Sequence, residues 1–221
     1  MLWNWDYVEE LMPILMKAIP ATLLATVCGF ALAAIVGMVF AMAIRSRSAI
    51  VRRTTKGIVD FIRKTPLLVQ LFFLFYSLPM LTPFGMTAFV TGVIGLGLHY
   101  ATYLSEVYRS SIDALPKGQW EAATALNLSK TKTWFSIVIP QAIPPIIPIM
   151  GNYLIVIFKE TPTLSAITFI ELLLRAKNEV SKSYHVFEPY TIVGIIFIVI
   201  SLLMSFGISR LERRYLQRPS A

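Results

Sequence analysis

Two short segments place charge where charge is costly. Arg63-Lys64-Thr65-Pro66 and Lys159-Glu160-Thr161-Pro162 each set a charged pair ahead of a Thr-Pro step, within long apolar surroundings. An ionisable group at membrane depth costs about 2.5–3.5 kcal/mol on insertion scales, so each one is a candidate functional group. The Thr-Pro steps read as helix restarts, with Thr65 and Thr161 as N-caps and Pro66 and Pro162 as first helical residues. A helix amino terminus inside a membrane presents free N–H groups and a positive dipole end, which suit a carboxylate. Glu106 and Glu160 can offset a cationic group, and Gln70, one turn beyond Pro66, can supply a neutral hydrogen bond. Thr65, Gln70, Glu106, Lys159, Glu160 and Thr161 are therefore the expected solute pathway, and the chemistry is the binding of a small zwitterion. The plainer alternative is that the prolines only kink the helices while the charges pair or snorkel to headgroups, with Arg63 and Lys64 marking an interface.

Catalysis finds no support in the sequence. There is no nucleophile–base pair and no metal-ligand cluster. His99 and His185 read as packing or solvated groups, and the single Cys28 as a small packing residue. The phosphate-cradling pattern G-x-x-x-x-G-K-[ST] is absent, so the chain has no recognisable means of hydrolysing ATP.

A second stretch carries no chemistry but has the form of a docking device. Gly118 to Pro140 is the longest polar interruption in the chain. Gln119 to Leu126 is rich in good helix formers. Asn127 tolerates the left-handed conformation that ends a helix, Ser129 is an N-cap for the next one, and Pro140 is expected to close it. A helix of about eight residues is not stable alone in water, so it needs a surface. Small Ala122 and Ala123 allow close approach by a partner, with Glu121 as a charged handle.

The elements that position these groups follow from the apolar pattern. The chain of 221 residues is 56% hydrophobic and 14% charged, too apolar for an ordinary soluble domain. Ile19–Ile44, Thr65–Ser105 and Tyr190–Ser209 are free of charge, and a bilayer core of about 30 Å needs roughly 20 such residues. Continuous apolar runs point to an all-α integral membrane protein rather than a barrel. Five transmembrane helices are expected, about 19–44, 57–78, 85–109, 143–176 and 190–209, in one domain over 1–221. Pro79 and Pro83 mark the turn between the second and third. The fourth is overlong and should protrude, tilt or break. Residues 1–18, with Trp3, Trp5 and Tyr7, read as an interfacial segment, and no cleavable leader is evident.

Charge distribution sets the orientation. Arg45, Arg47, Arg52, Arg53 and Lys56 share one segment, and Arg210, Arg213, Arg214 and Arg218 cluster in the tail. With these inside, thirteen Lys and Arg are cytoplasmic and three external, which places the amino terminus outside and the carboxyl terminus in the cytoplasm. The net charge of +8 is thereby explained by the membrane, not by nucleic acid.

These motifs resemble a known family. Glu121-Ala122-Ala123, a turn residue six positions on, and Ile139-Pro140 are similar to the EAA loop of binding-protein-dependent ABC importer permeases, with Asn127 where Gly is usual. Phe61-Ile62-Arg63 and Thr65-Pro66-Leu67-Leu68-Val69-Gln70 resemble the RGTPLLVQ region of polar amino acid permeases, with Lys64 in place of Gly. Tyr103-Leu104-Ser105-Glu106 with Arg109 resembles AYxxExxR, and Lys159-Glu160-Thr161 a KET segment. GLGLHYATYLSEVYR and NYLIVIFKETPTLSAIT are more narrowly similar to ectoine and hydroxyectoine permeases.

The resemblance implies a type I ABC importer fold in the bacterial inner membrane. Gly118, Gln119, Glu121, Ala122, Ala123 and Asn127 would couple to a separate ATPase. The implied partners are two ATPase subunits carrying ATP and Mg, a second permease subunit expected to be a paralogue, an extracytoplasmic binding protein and lipid, with no cofactor in this chain. The rival reading is an ion-gradient-driven secondary transporter of amino acids.

Overall fold

Small residues recur at every fourth position of the first long apolar run, and the fold is built on that stripe. The computed structural model describes residues 3–216, and of 214–216 the backbone only. Among the described residues every regular element is helical. In chain order they are α1 (Trp5–Met16), α2 (Ile19–Ile44), α3 (Ala49–Lys64), α4 (Leu67–Leu81), α5 (Ala88–Asp113), α6 (Lys117–Ala125), α7 (Lys130–Ile167), α8 (Leu172–Ser183) and α9 (Phe187–Leu216).

Ala25, Gly29, Ala33, Gly37 and Ala41 of α2 are buried along one face. That face packs against α5, whose Gly92, Gly95, Leu96, Gly97, Ala101 and Leu104 are buried in turn. Lipid supplies no hydrophobic drive between helices, so close van der Waals packing of small residues carries the association. A Cβ added at Gly37 would lie 2.9 Å from the Ala101 carbonyl oxygen and 3.0 Å from Leu104 Cβ. The backbones meet there with no spare room.

A second core joins α1 to the other end of the chain. Leu11, Leu15 and Ala18 pack with Leu172, Ala176, Ile192, Val193 and Ile196. The Asn4 backbone N–H donates to Glu188 at 2.9 Å, and the Tyr7 and Ser183 hydroxyls lie 2.8 Å apart. The aromatic amino-terminal stretch is thus a helix strapped across α8 and α9.

Several local expectations are corrected. From Ala49 on, the basic segment Arg45–Lys56 is helical and makes the first half of α3. The expected second span, 57–78, is broken at Thr65-Pro66, and its apolar half α4 runs on to Leu81. Pro79 does not make the turn there, and Pro140 does not close the helix after Ser129. Each sits just beyond a widened turn, Phe73–Ser77 or Trp134–Val138. A proline in a regular helix collides with the carbonyl four residues back, and one extra residue in the turn moves that carbonyl aside. The overlong fourth segment does break. It tightens into a 3₁₀ stretch at Thr161–Ile167, ends at left-handed Thr168 (φ 64°) and restarts as α8.

Among the described residues, three helical stretches are long and apolar enough to cross a membrane: Trp5–Ile44, Lys130–Ile167 and Phe187–Arg213. Leu67–Leu81 is a shorter apolar helix, and α5 dilutes its apolar residues with His99, Thr102, Ser105 and Glu106. Of the tail cations, Arg218 and the Arg214 side chain lie outside the described residues.

Replacing Gly37 by Val should destabilise the protein by about 1–3 kcal/mol through overpacking. Gly57→Ala, where nothing lies within 4 Å, should be neutral or slightly stabilising. Thermal unfolding of the detergent-solubilised variants checks both, and a Gly37→Val midpoint equal to wild type would contradict the close seam.

Candidate functional site

Proline restricts the residue before it to extended backbone. Thr65 (φ −103°, ψ 140°) and Pro66 (φ −62°, ψ 137°) are both extended, so α3 and α4 are offset at this step. The break leaves the last carbonyls of α3 without helical partners. Gln70 fills that gap. Its Nε2 lies 2.7 Å from the Ile62 carbonyl, 3.1 Å from the Thr65 carbonyl and 2.7 Å from Thr65 Oγ1. Its Oε1 is 3.3 Å from His99 Nδ1. Gln70 therefore laces the break to α5. Thr65 is not the N-cap, because Pro66 occupies that position and the Thr65 hydroxyl donates backwards, 3.1 Å from the Phe61 and Ile62 carbonyls.

A cavity of about 350 Å³ opens over this break. Arg63, Lys64, Thr65, His99, Tyr100, Tyr103 and, from α7, Glu160 line it. Arg63, which the plainer alternative sets at an interface, is held by α5. Its Nη2 donates to the Thr102 carbonyl, and its guanidinium carbon sits 5.2 Å from the Tyr103 ring centroid. Its Nε is buried with no hydrogen-bond partner. Among the described residues neither Arg63 nor Glu160 has an oppositely charged side chain at ion-pair distance. One cavity thus offers a fixed cation, a carboxylate and an aromatic wall of Tyr100 and Tyr103, and the Tyr153 ring packs 6.2 Å from that of Tyr103.

The remaining expected pathway residues lie elsewhere. Glu106 is ion-paired to Arg109 and faces a different cavity. Lys159 lines a groove against Phe197, Ile198 and Ser201 of α9. Thr161 caps nothing: it is fully buried, and its hydroxyl donates to the Phe158 carbonyl at 2.7 Å while the chain runs on into the 3₁₀ turn. Thr65 and Glu160 are brought together, and Arg63, His99, Tyr100 and Tyr103 join them.

The polar insert has the expected local form. α6 spans Lys117–Ala125 and Asn127 is left-handed at φ 51°. The Leu128 N–H reaches the Ala123 carbonyl at 3.0 Å and the Asn127 N–H the Thr124 carbonyl at 3.0 Å, the paired bonds of a Schellman end. Ser129 then caps the next helix by accepting from the Lys132 N–H at 3.3 Å. The inward side packs Trp120 edge-on against Trp134, over Ile112, Val138 and Ala142. Ala123 is buried on that side, which corrects its expected outward role. Gln119 accepts from Gln141 at 3.2 Å. Gly118, Glu121, Ala122 and Asn127 are exposed. Beside them Leu126 is 72% exposed, an apolar knob that sequence reasoning overlooked.

Residues 29–217 match the sequence pattern described as the binding-protein-dependent transport system inner membrane component. The chain belongs to that family. It is 40% identical over 212 residues to the probable amino-acid ABC transporter permease protein y4tG of Sinorhizobium fredii (strain NBRC 101917 / NGR234), covering 92% of this chain and 90% of that protein. It is 34% identical to the L-cystine transport system permease protein TcyB of Bacillus subtilis (strain 168), over 95% and 90% of the two chains. A crystal structure of an amino acid ABC transporter with histidines superposes with a TM-score of 0.91 at 31% identity, covering 97% of this chain and 100% of that one. The methionine ABC transporter MetNI, in inward-facing conformations, shares the fold at a TM-score of 0.80 and 16% identity, over 94% and 98% of the chains. The chain is accordingly the permease component of an amino-acid-type ABC importer, a multi-pass membrane family whose members are not themselves catalytic.

Gln70→Ala should leave the α3 carbonyls without their donor and cost about 1–3 kcal/mol. Denaturant titration of the solubilised protein checks this, and an unchanged midpoint would mean that Gln70 does not hold the break.

Proposed function

We propose that this permease carries a small zwitterionic solute, with the solute's carboxylate on Arg63 and its amino group on Glu160. The observation that carries the reading is the presence of both side chains in one cavity, each without an ion-pair partner among the described residues. Opposite charges held apart in a low-dielectric site favour a ligand bearing the complementary pair. Tyr100, Tyr103 and Tyr153 would close around its apolar part. Amino acids fit this chemistry. Ectoine and hydroxyectoine fit it as well, and the resemblance of GLGLHYATYLSEVYR and NYLIVIFKETPTLSAIT makes them the first solutes to try.

The wider mechanism is alternating access driven by two separate ATPase subunits, with a second permease subunit alongside and a binding protein outside. Five spans, α1–α2, α3–α4, α5, α7 and α9, would place the amino terminus outside and α6 in the cytoplasm. There the exposed Glu121, Ala122 and Leu126 would seat in the ATPase, with Asn127 fixing the turn. The family membership favours this over an ion-gradient mechanism.

Uptake of labelled amino acids, ectoine and hydroxyectoine by the assembled transporter tests the site. Glu160→Gln and Arg63→Gln should each weaken apparent affinity by roughly 10- to 100-fold, the worth of one charge-assisted contact. Wild-type affinity in both variants would remove the site. Glu121→Lys should leave the ATPase turning over while uptake is lost, and normal coupled uptake would count against the docking role.

A further inference from the structure

Arg63 also lines a second cavity, of about 420 Å³, to which Glu160 does not contribute. Arg52, Arg53, Lys56, Arg63 and Arg109 line it, against Asp60 and Glu106. Arg109 engages Glu106 and also reaches Asp113 at 3.2 Å. Arg52, Arg53 and Lys56 have no carboxylate at ion-pair distance among the described residues. The cavity therefore has more cation than its own acids neutralise.

The helix that supplies these cations is exposed on both faces, with Arg52, Arg53 and Lys56 exposed as well as its apolar residues. At 3.6 residues per turn, Arg52, Lys56, Val59 and Arg63 fall on one face of α3, and Ile50, Val51, Ile58 and Phe61 on the other. The apolar four are exposed, at 79%, 42%, 47% and 71%. The charged face lines the cavity and the apolar face looks outward, an arrangement matched to acyl chains outside and an anion within.

We propose that this cavity binds a phosphate-type anion, supplied as the headgroup of an anionic phospholipid whose acyl chains lie along Ile50, Ile58 and Phe61. Basic pockets between membrane helices take such headgroups because several cations share one multivalent or doubly hydrogen-bonding group. Arg63 is common to both cavities, so an occupied headgroup site would also hold the guanidinium that the solute cavity uses. The site is independent of which solute the permease carries.

The test compares the assembled transporter with its R52Q/R53Q/K56Q variant, and with R52K/R53K, which keeps the charge. Native mass spectrometry follows retention of added phosphatidylglycerol, cardiolipin and phosphatidylcholine. A second arm titrates inorganic phosphate by calorimetry. The expected result is one anionic lipid per copy of this chain, no retention of phosphatidylcholine, roughly hundredfold weaker retention in the triple variant, and wild-type retention in R52K/R53K. Phosphate binding that the triple variant loses, with no lipid retained, would support the anion site and assign it to a soluble phosphate compound. Equal retention by wild type and triple variant, or binding of neither lipid nor phosphate, overturns the proposal.

Discussion

The structure depends on one electrostatic constraint: charge inside a membrane protein must be held by something. Arg63 is held by the Thr102 carbonyl and the face of Tyr103, not by an acid. Glu160, across the cavity, is likewise free of an ion pair among the described residues. Pairing the two with each other would neutralise both and fill the cavity. The fold keeps them apart because Arg63 belongs to α3 and is anchored on α5, while Glu160 ends the long helical part of α7.

That separation rests on packing and on breaks in helices. The small-residue seam between α2 and α5 fixes the anchor for Arg63. The Thr65-Pro66 step turns α4 away from α3, and Gln70 satisfies the carbonyls this exposes, so the break is stable without water. On α7 the tightened turn after Glu160 and the left-handed Thr168 end the helix at the cavity wall. A different solution serves Pro79 and Pro140, where widened turns let helices continue. Continuity through Pro140 joins the Ser129 cap, next to the α6 turn, to Glu160 through a single helical element.

Much of this was legible in the residues. Asn127 and Ser129 announced their turn and cap because those roles depend on local backbone alone. The meeting of Thr65 with Glu160 in one cavity was legible because Thr65 follows one charged pair in an apolar run and Glu160 belongs to the other. Other features required the third dimension. Whether Arg63 sits at an interface or in a cavity depends on where α5 passes. Gln70 looked available to a solute, but the broken helix claims its amide. Two orientations also came only from packing: Lys159 turns to the groove against α9 while Glu160 lines the cavity, and Ala123 is buried while Ala122 stays exposed.

The most direct measurement is a structure of the assembled transporter with an amino-acid-type solute bound. The account predicts the carboxylate of that solute within hydrogen-bond reach of the Arg63 guanidinium and its amino group beside Glu160, under the rings of Tyr100 and Tyr103. A solute seated elsewhere, with Arg63 and Glu160 closed onto each other, would contradict it.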